Sequence, residues 1–389
     1  MIASASAAAA RIGRGTDARG WLDRLLASER FRHWAAGFPL TRPIARRRAR
    51  ALFDLCAGFV YSQILYACVR LRLFDMLAEE PQSAAVLARR MGLPAEGADR
   101  LLAAAASLGL VARRGDRFGL GRLGAAMVGN PGLAAMVEHH AVLYADLQDP
   151  VALLRGEGKA TGLSRYWPYA GASAPEALGA EQVGAYTALM AASQPLVAAE
   201  ILESYPLGRH RCLLDVGGGD GSFVTAAAAR APHLRFMLFD LPAVAERARA
   251  RFATGGIADR AVALGGDFLS DDLPRGADVV SLVRIIHDHD DEAALAILRR
   301  AFAALPAGGT LLLAEPMAGT AGAEPVGDAY FGFYLLAMGS GRPRSLANLQ
   351  ALLTRAGFVL ARPRRTRLPL LTRLIVATKP ATAETVNLS

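Results

Sequence analysis

Cysteine, aromatics and acidic residues are all scarce in this sequence. Only three cysteines occur in 389 residues. Cys56, Cys68 and Cys212 have neither the spacing of a metal site nor the pairing of a disulfide framework. Each sits in an apolar run, so the expectation is buried free thiols in a reducing compartment. Aromatics make up 7% of the chain and hydrophobic residues 53%, so small and branched aliphatics must carry a globular core. Asp and Glu number 35 against 44 Lys and Arg, for a formal net charge of +9. That balance suits contact with an anionic surface, and equally a soluble protein from an arginine-rich proteome. Residues 5–10 are too short and weak for the apolar core of a secretory leader. Long apolar runs are also few. Residues 51–69 are the one candidate span, but they hold Asp54, Ser62 and Gln63 and end at Arg70 and Arg72. They are read as a buried or dimer helix and not as a bilayer span. No internal repeat and no G-x-S-x-G nucleophile turn appear.

The chain divides by pattern into three parts. Residues 1–45 read as a mobile basic tail. Residues 46–195 read as mostly helical, opening with the cluster Arg46, Arg47, Arg48 and Arg50. Beside an apolar helix that cluster can touch a membrane surface peripherally, or it can be a solvated helix end. Within this part, residues 83–90 and 98–108 read as helix, turn, helix. Residues 111–121 then alternate about Gly115 and Asp116 as a short hairpin. This is a winged-helix pattern, which also occurs in DNA readers. After Arg100, however, the second helix has no Arg, Asn, Gln or Lys for base edges. A packing or dimerisation module is preferred, with no nucleic acid. Residues 196–389 alternate strand and helix, which predicts an α/β fold with a doubly wound, mostly parallel sheet.

The chemistry gathers at the predicted strand ends, where such sheets bind ligands. The first strand ends in Asp215 and a turn carrying Gly217, Gly219 and Gly221. A dinucleotide loop wants its third glycine at 222, which is Ser. Asp215 and Asp220 would repel a phosphate and favour a cation, as in S-adenosylmethionine (SAM), whose sulfonium and ammonium are both positive. The second strand ends at Asp240, followed by Leu241 and Pro242, and a carboxylate there can take both ribose hydroxyls. The third ends at Asp267 and Phe268. Taken alone, Asp267 reads as a turn residue; with two other strand-end acids, it is expected to bond an adenine amino group while Phe268 stacks on the ring. The fourth runs to Ile286 and ends in Arg284, His287, Asp288 and His289. His287 is a natural general base. Asp290 or Asp291 is expected to cap the next helix, and His289 to sit on the surface. The fifth strand ends at Glu315, which can fix the tautomer of His287. A metal site here is disfavoured, since alternating ligands on one segment lack distant partners.

These five strand-end motifs, in this order, resemble the plant-type family of SAM-dependent O-methyltransferases, over roughly residues 50–380. The resemblance implies a Rossmann-like class I methyltransferase fold with an N-terminal winged-helix dimerisation domain, acting as a homodimer. It also implies His287 as base with Glu315 behind it. Gly217, Asp240, Asp267, Phe268 and Arg284 fall on cofactor positions, with Ser193 or Gln194 as a further contact from the helix over 186–194. There are departures. Val283, followed by Arg284, stands where many plant members have Lys; His289 replaces the usual Trp; and Pro343 aligns with a second His-supporting Glu.

Within the family, residues 38–61 resemble the acyclic carotenoid O-methyltransferases of purple phototrophic bacteria. That implies an apolar hydroxylated acceptor, the tertiary 1-hydroxyl of a demethylspheroidene-type carotenoid. It also implies a cytoplasmic enzyme in peripheral contact with the inner or photosynthetic membrane. The alternatives are an O-methyltransferase for a phenol, a polyketide or a bacteriochlorophyll macrocycle, a winged-helix regulator, or a SAM-binding scaffold without catalysis.

Overall fold

The computed structural model describes residues 17–157, 160–166 and 180–381. It forms two compact units, Met1–Gly124 and Ala125–Ser389. The division falls well before the expected boundary at residue 195. The reason is packing: the long helix over 180–204 lies against helices of the second unit's sheet layer.

In the first unit the expected tail is helical from residue 17 on. It holds α1 (Asp17–Ala27), α2 (Glu29–Gly37) and α3 (Arg42–Arg70). Ser28 caps α2 by accepting from Phe31 N, and Pro43 opens α3, where its missing N–H costs nothing. Of the two readings of the apolar helix over 51–69, buried in its own chain or packed in a dimer, the first is not met. Only Cys68 of α3 is buried, and Leu55 is 81% exposed. Cys56 is likewise exposed and Cys212 half-buried, so only Cys68 is the buried thiol expected of all three, and burial pushes it up to about 12.

The rest of the unit follows the winged-helix pattern. It runs α4 (Leu73–Glu79), β1 (Gln82–Ser83), α5 (Ala84–Met91), α6 (Ala95–Ser107), β2 (Val111–Arg114), β3 (Arg117–Leu120) and α7 (Arg122–Ala125). Gly92 ends α5 in the left-handed conformation, and β1, β3 and β2 pair antiparallel. Ala98, Leu102 and Ala105 of α6 are fully buried, and Arg100 is paired with Glu96 at 2.9 Å.

The second unit opens with α8 (Pro131–Asp146), α9 (Pro150–Leu154), α10 (Gly162–Tyr166) and α11 (Ala180–Ser204). The alternating part follows as β4 (Cys212–Val216), α12 (Ser222–Arg230), β5 (Arg235–Asp240), α13 (Pro242–Thr254), β6 (Ala261–Gly265), β7 (Val279–Val283), α14 (Asp291–Ala304) and β8 (Thr310–Glu315). It closes with α15 (Gly332–Met338), α16 (Leu346–Arg355), β9 (Val359–Arg364) and β10 (Arg373–Thr378). The sheet order is β6-β5-β4-β7-β8-β10-β9. The strands from β6 to β8 are parallel and β10 and β9 antiparallel. Strands such as β7 and β8 are buried along their whole length and mostly apolar, because helices cover both faces. One layer gathers Val197, Ile201, Phe223 and Phe252, and the other Ile297, Leu298, Leu353 and Phe358. The chain enters at β4, winds one way to β6, then crosses to β7. The gap between β4 and β7 is therefore the switch point where such sheets bind ligands.

Candidate active site

At the end of β4 the chain must turn sharply onto α12. Gly217 and Gly219 make the turn with φ of +67° and +60°, a region that side chains avoid. A Cβ on Gly217 would also collide with Ile285. The loop's Gly219 N–H donates to Asp240 Oδ2 at 2.8 Å, and Leu241 N–H to Asp240 Oδ1 at 2.7 Å. This fixes the carboxylate at the end of β5. Burial pushes Asp240 up to about 6, against the pull of those two amides.

A cavity of about 1030 Å³, counted out to open solvent, lies over these strand ends. Its lining brings together Gly217, Gly219, Asp240, Leu241, Asp267 and Phe268, and also Arg284 and Gln194. Its lining carboxylates, Asp220, Asp240, Asp267 and Asp288, outnumber the single guanidinium of Arg284. The apolar wall of Leu241, Val244, Phe268 and Leu269 suits a flat heterocycle. A cationic nucleoside such as SAM fits this set, and a dinucleotide's phosphates do not.

Four expected residues have partners of their own, and two of them lie outside the lining. Asp215 does not line the cavity. It is 1% exposed beneath the glycine loop, Ser281 Oγ donates to it at 2.6 Å, and burial pushes it up to about 7. Asp220 lines the cavity but is paired with Arg251, and it accepts from Ser222 N at 3.1 Å at the start of α12. Asp267 faces the cavity and also makes the turn bonds of its bland reading, accepting from Leu269 N at 2.8 Å. Ser193 lies outside the lining, where its hydroxyl accepts from Arg284 at 3.0 Å, and Gln194 Oε1 accepts from the same guanidinium at 2.8 Å.

The fourth strand is shorter than expected. It stops at Val283 because Arg284 adopts φ +58°. The chain then makes a 3₁₀ turn over Ile286–Asp288 that carries His287. His287 is 7% exposed, and its Nδ1 pairs with Glu315 Oε2. Glu315 Oε1 accepts from Ile286 N at 2.7 Å and Ile285 N at 3.1 Å, so one carboxylate holds both the ring and the turn. With Nδ1 donating to Glu315, Nε2 is the basic nitrogen. It lies 3.0 Å from Asp288 Oδ1. Burial works against a charged ring, but the Asp288 and Glu315 carboxylates outweigh it, and His287 is raised above its ordinary value. His287 does not itself line the cavity; its neighbours Asp288 and His289 do.

Sequence reasoning missed several residues here. His289 is half-buried at the cavity wall and not a free loop residue: its ring meets Phe268 edge-on at 5.6 Å, and burial pulls it down to about 4. Asp290 makes no side-chain cap; it accepts from Gly341 N at 3.2 Å. Asp291 pairs with Arg342 and Arg344. Arg344, 3% exposed, donates to the carbonyls of Ile286 at 2.6 Å and His289 at 2.7 Å, and Arg342 N donates to His287 O at 2.9 Å. Pro343 thus lies in a strut that supports the backbone of His287, not its ring. Phe331 meets the His287 ring edge-on at 5.5 Å, from a π-helical turn over Val326–Phe331. The one local signal was Asp288, adjacent to the histidine; the strut is more than fifty residues away in sequence. Among the described residues, no group of three or more His, Cys, Asp or Glu is placed to hold a metal ion.

The O-methyltransferase domain family matches residues 144–359, and the O-methyltransferase dimerisation domain matches residues 53–130. The chain belongs to the SAM-dependent O-methyltransferases, and its dimerisation domain supports a homodimer. Within that family it is similar to the demethylspheroidene O-methyltransferase of Cereibacter sphaeroides, with 46% identity over 86% of this chain and 88% of the relative. The enzyme of the same description from Rhodobacter capsulatus is 40% identical over 91% and 88%. In fold it resembles human N-acetylserotonin methyltransferase, solved in complex with SAM. That likeness has a TM-score of 0.70 at 24% identity and covers 86% of this chain and 98% of that one.

Proposed function

We propose that this enzyme methylates the tertiary 1-hydroxyl of an acyclic carotenoid, a step of the demethylspheroidene-to-spheroidene type. The observation that carries this reading is the buried His287–Glu315 pair beside an acidic cofactor cavity, in a chain 46% identical to a demethylspheroidene O-methyltransferase.

Bound SAM supplies an electrophilic methyl on a sulfonium. The chain's own residues bind, orient and move a proton. Asp240 accepts from the ribose hydroxyls. Asp267 takes the adenine amino group and Phe268 packs on the ring. The Gly217–Gly219 turn lets backbone approach closely, with Leu241 closing one side. Arg284, held by Gln194 and Ser193, ties α11 to the end of β7. The acceptor hydroxyl takes the place of Asp288 at His287 Nε2. His287 removes its proton as the oxygen bonds the methyl carbon and the carbon–sulfur bond breaks. A tertiary alkanol is a far weaker acid than a phenol, so the two events are concerted. Glu315 holds the imidazolium that results.

The acceptor's apolarity and the arginine-rich start of α3 support a cytoplasmic protein in peripheral contact with a membrane. The decisive experiment is mass spectrometry of carotenoids from a host making hydroxylated acyclic carotenoids, with and without this protein. Gain of one methyl on the hydroxylated end is expected; methylation of phenols alone overturns the acceptor. His287→Ala should lower turnover by about 10²–10⁴-fold while SAM still binds, and near-normal turnover removes the base assignment.

A further inference from the structure

The first unit exposes apolar side chains ahead of the segment that the dimerisation family matches. The dimerisation match begins at residue 53. Ahead of it, α1, α2 and the start of α3 expose Trp21, Leu22, Trp34, Phe38, Leu40 and Ile44. Trp34 and Phe38 stack at 5.0 Å and are still 52% and 39% exposed. This is not a frayed tail. α2 packs on both α1 and α3, and Thr41 Oγ1 donates to Ala35 O at 2.8 Å across the turn between α2 and α3.

The charge of the same segment is one-sided. Residues 17–50 hold nine arginines against Asp17, Asp23 and Glu29. Arg42, Arg46, Arg47, Arg48 and Arg50 are all exposed, and among the described residues only Arg50 has an acid within reach, Asp54 at 3.7 Å. Arg30, Arg32 and Trp34 also border a shallow open hollow on α2.

Large apolar side chains among unpaired arginines narrow the occupant. A second copy would meet this face through a two-fold axis, setting the arginine cluster near its own image. A nucleic acid backbone would satisfy the arginines but leave Trp21, Leu40 and Ile44 without apolar partners. An anionic bilayer satisfies both: indole and phenyl rings sit at the headgroup level, and arginines meet lipid phosphates.

We propose that α1, α2 and the first turns of α3, which precede the segment matched by the dimerisation family, form a docking face for an anionic lipid surface. The inference rests on the reading above, that the acceptor resides in a membrane, and it names the element that reaches it.

The test is co-sedimentation of the full-length protein with vesicles of phosphatidylcholine alone and of phosphatidylcholine with phosphatidylglycerol. Binding to the anionic vesicles should be at least about ten-fold tighter and should weaken as salt rises. The triple variant Arg46→Glu, Arg47→Glu, Arg48→Glu should lose that preference. Trp34→Ser with Phe38→Ser should weaken binding about ten-fold. Both variants should keep the circular dichroism spectrum, the dimer, and methyl transfer to a detergent-dispersed acceptor. Absence of vesicle binding overturns the proposal, as does equal binding to both vesicle types. Conversion of the Trp34/Phe38 variant to monomer overturns it in favour of a second copy, and binding to duplex DNA in place of vesicles overturns it in favour of nucleic acid. The detergent assay reads the proposed reaction separately, so loss of vesicle binding with transfer intact removes only the docking face.

Discussion

At the scale of single residues, the site turns on an imidazole between two carboxylates. Glu315 at Nδ1 sets the tautomer, and Asp288 at Nε2 adds a second negative charge. Because these charges outweigh the burial penalty, His287 is raised, and its basic form is present only above that raised value. Turnover should therefore fall as pH drops through an apparent pKa above the ordinary histidine value of about 6.5. Asp288→Asn removes one charge and should move that midpoint down, read from kcat/KM profiles; an unmoved midpoint removes Asp288 from the pair. Asp240 works in the opposite sense. It must be ionised to accept from ribose, and burial has pushed it up to about 6. SAM affinity should weaken as pH falls below that value. Asp240→Ala should cost about 2 kcal/mol, or roughly 30-fold in Kd by calorimetry, and an unchanged Kd counts against the ribose role.

At the scale of elements, two loops far apart in sequence decide the geometry. The strut over residues 341–344 lies against the turn that carries His287. Gly341 has φ +79°, and a Cβ there would collide with the carbonyl of His287, which is backbone and cannot move aside. Gly341→Ala should therefore displace His287. A shift of about 1 Å costs on the order of 10²-fold in kcat, with SAM affinity nearly unchanged; equal losses in both would show general unfolding instead. The other anchor is Asp278, at the start of β7. It accepts from Arg211 N at 2.9 Å, Cys212 N at 2.8 Å and His210 Nδ1 at 2.9 Å, tying β4 to β7. Burial works against this carboxylate, but the two amides and His210 outweigh it and hold it below the usual range. His210 is itself pulled down by burial, so it is a neutral donor in this pair. The stabilising share of Asp278 is thus present at neutral pH and is lost as pH falls through the lowered value, below about 4. Asp278→Ala should cost about 2 kcal/mol in denaturant unfolding at neutral pH, and much less in acid.

At the scale of the whole molecule, α3 joins two surfaces. Leu55 and Phe59, 81% and 65% exposed, lie within the dimerisation match. Leu55→Glu with Phe59→Glu should turn the dimer into a monomer in sedimentation velocity, and a persistent dimer would place the interface elsewhere. A continuous apolar run in sequence told nothing of whether its partner was the same chain. That is why the helix over 51–69 was expected to be buried or in a dimer, and only the structure removed the first choice. The compact units divide ahead of residue 195 for a related reason: α11 reads as one more helix of a helical region, and its packing sets it against α8, α12 and α13.

What the sequence determined by itself is the set of strand ends. Apolar runs broken by glycine, aspartate and histidine locate β4 to β8 and their polar termini, because period and turn chemistry are local properties. From these came the glycine turn, Asp240, Phe268, and His287 with Glu315. The tertiary structure decided which of those groups face the cavity and which lie beneath it. It put Asp215 under the loop and Asp220 against Arg251, and set Asp288 and the residue 341–344 strut beside His287. Burial and through-space pairing depend on chain segments that meet only on folding, and burial there raises Asp215, Asp240 and Asp288 above the ordinary carboxylate range.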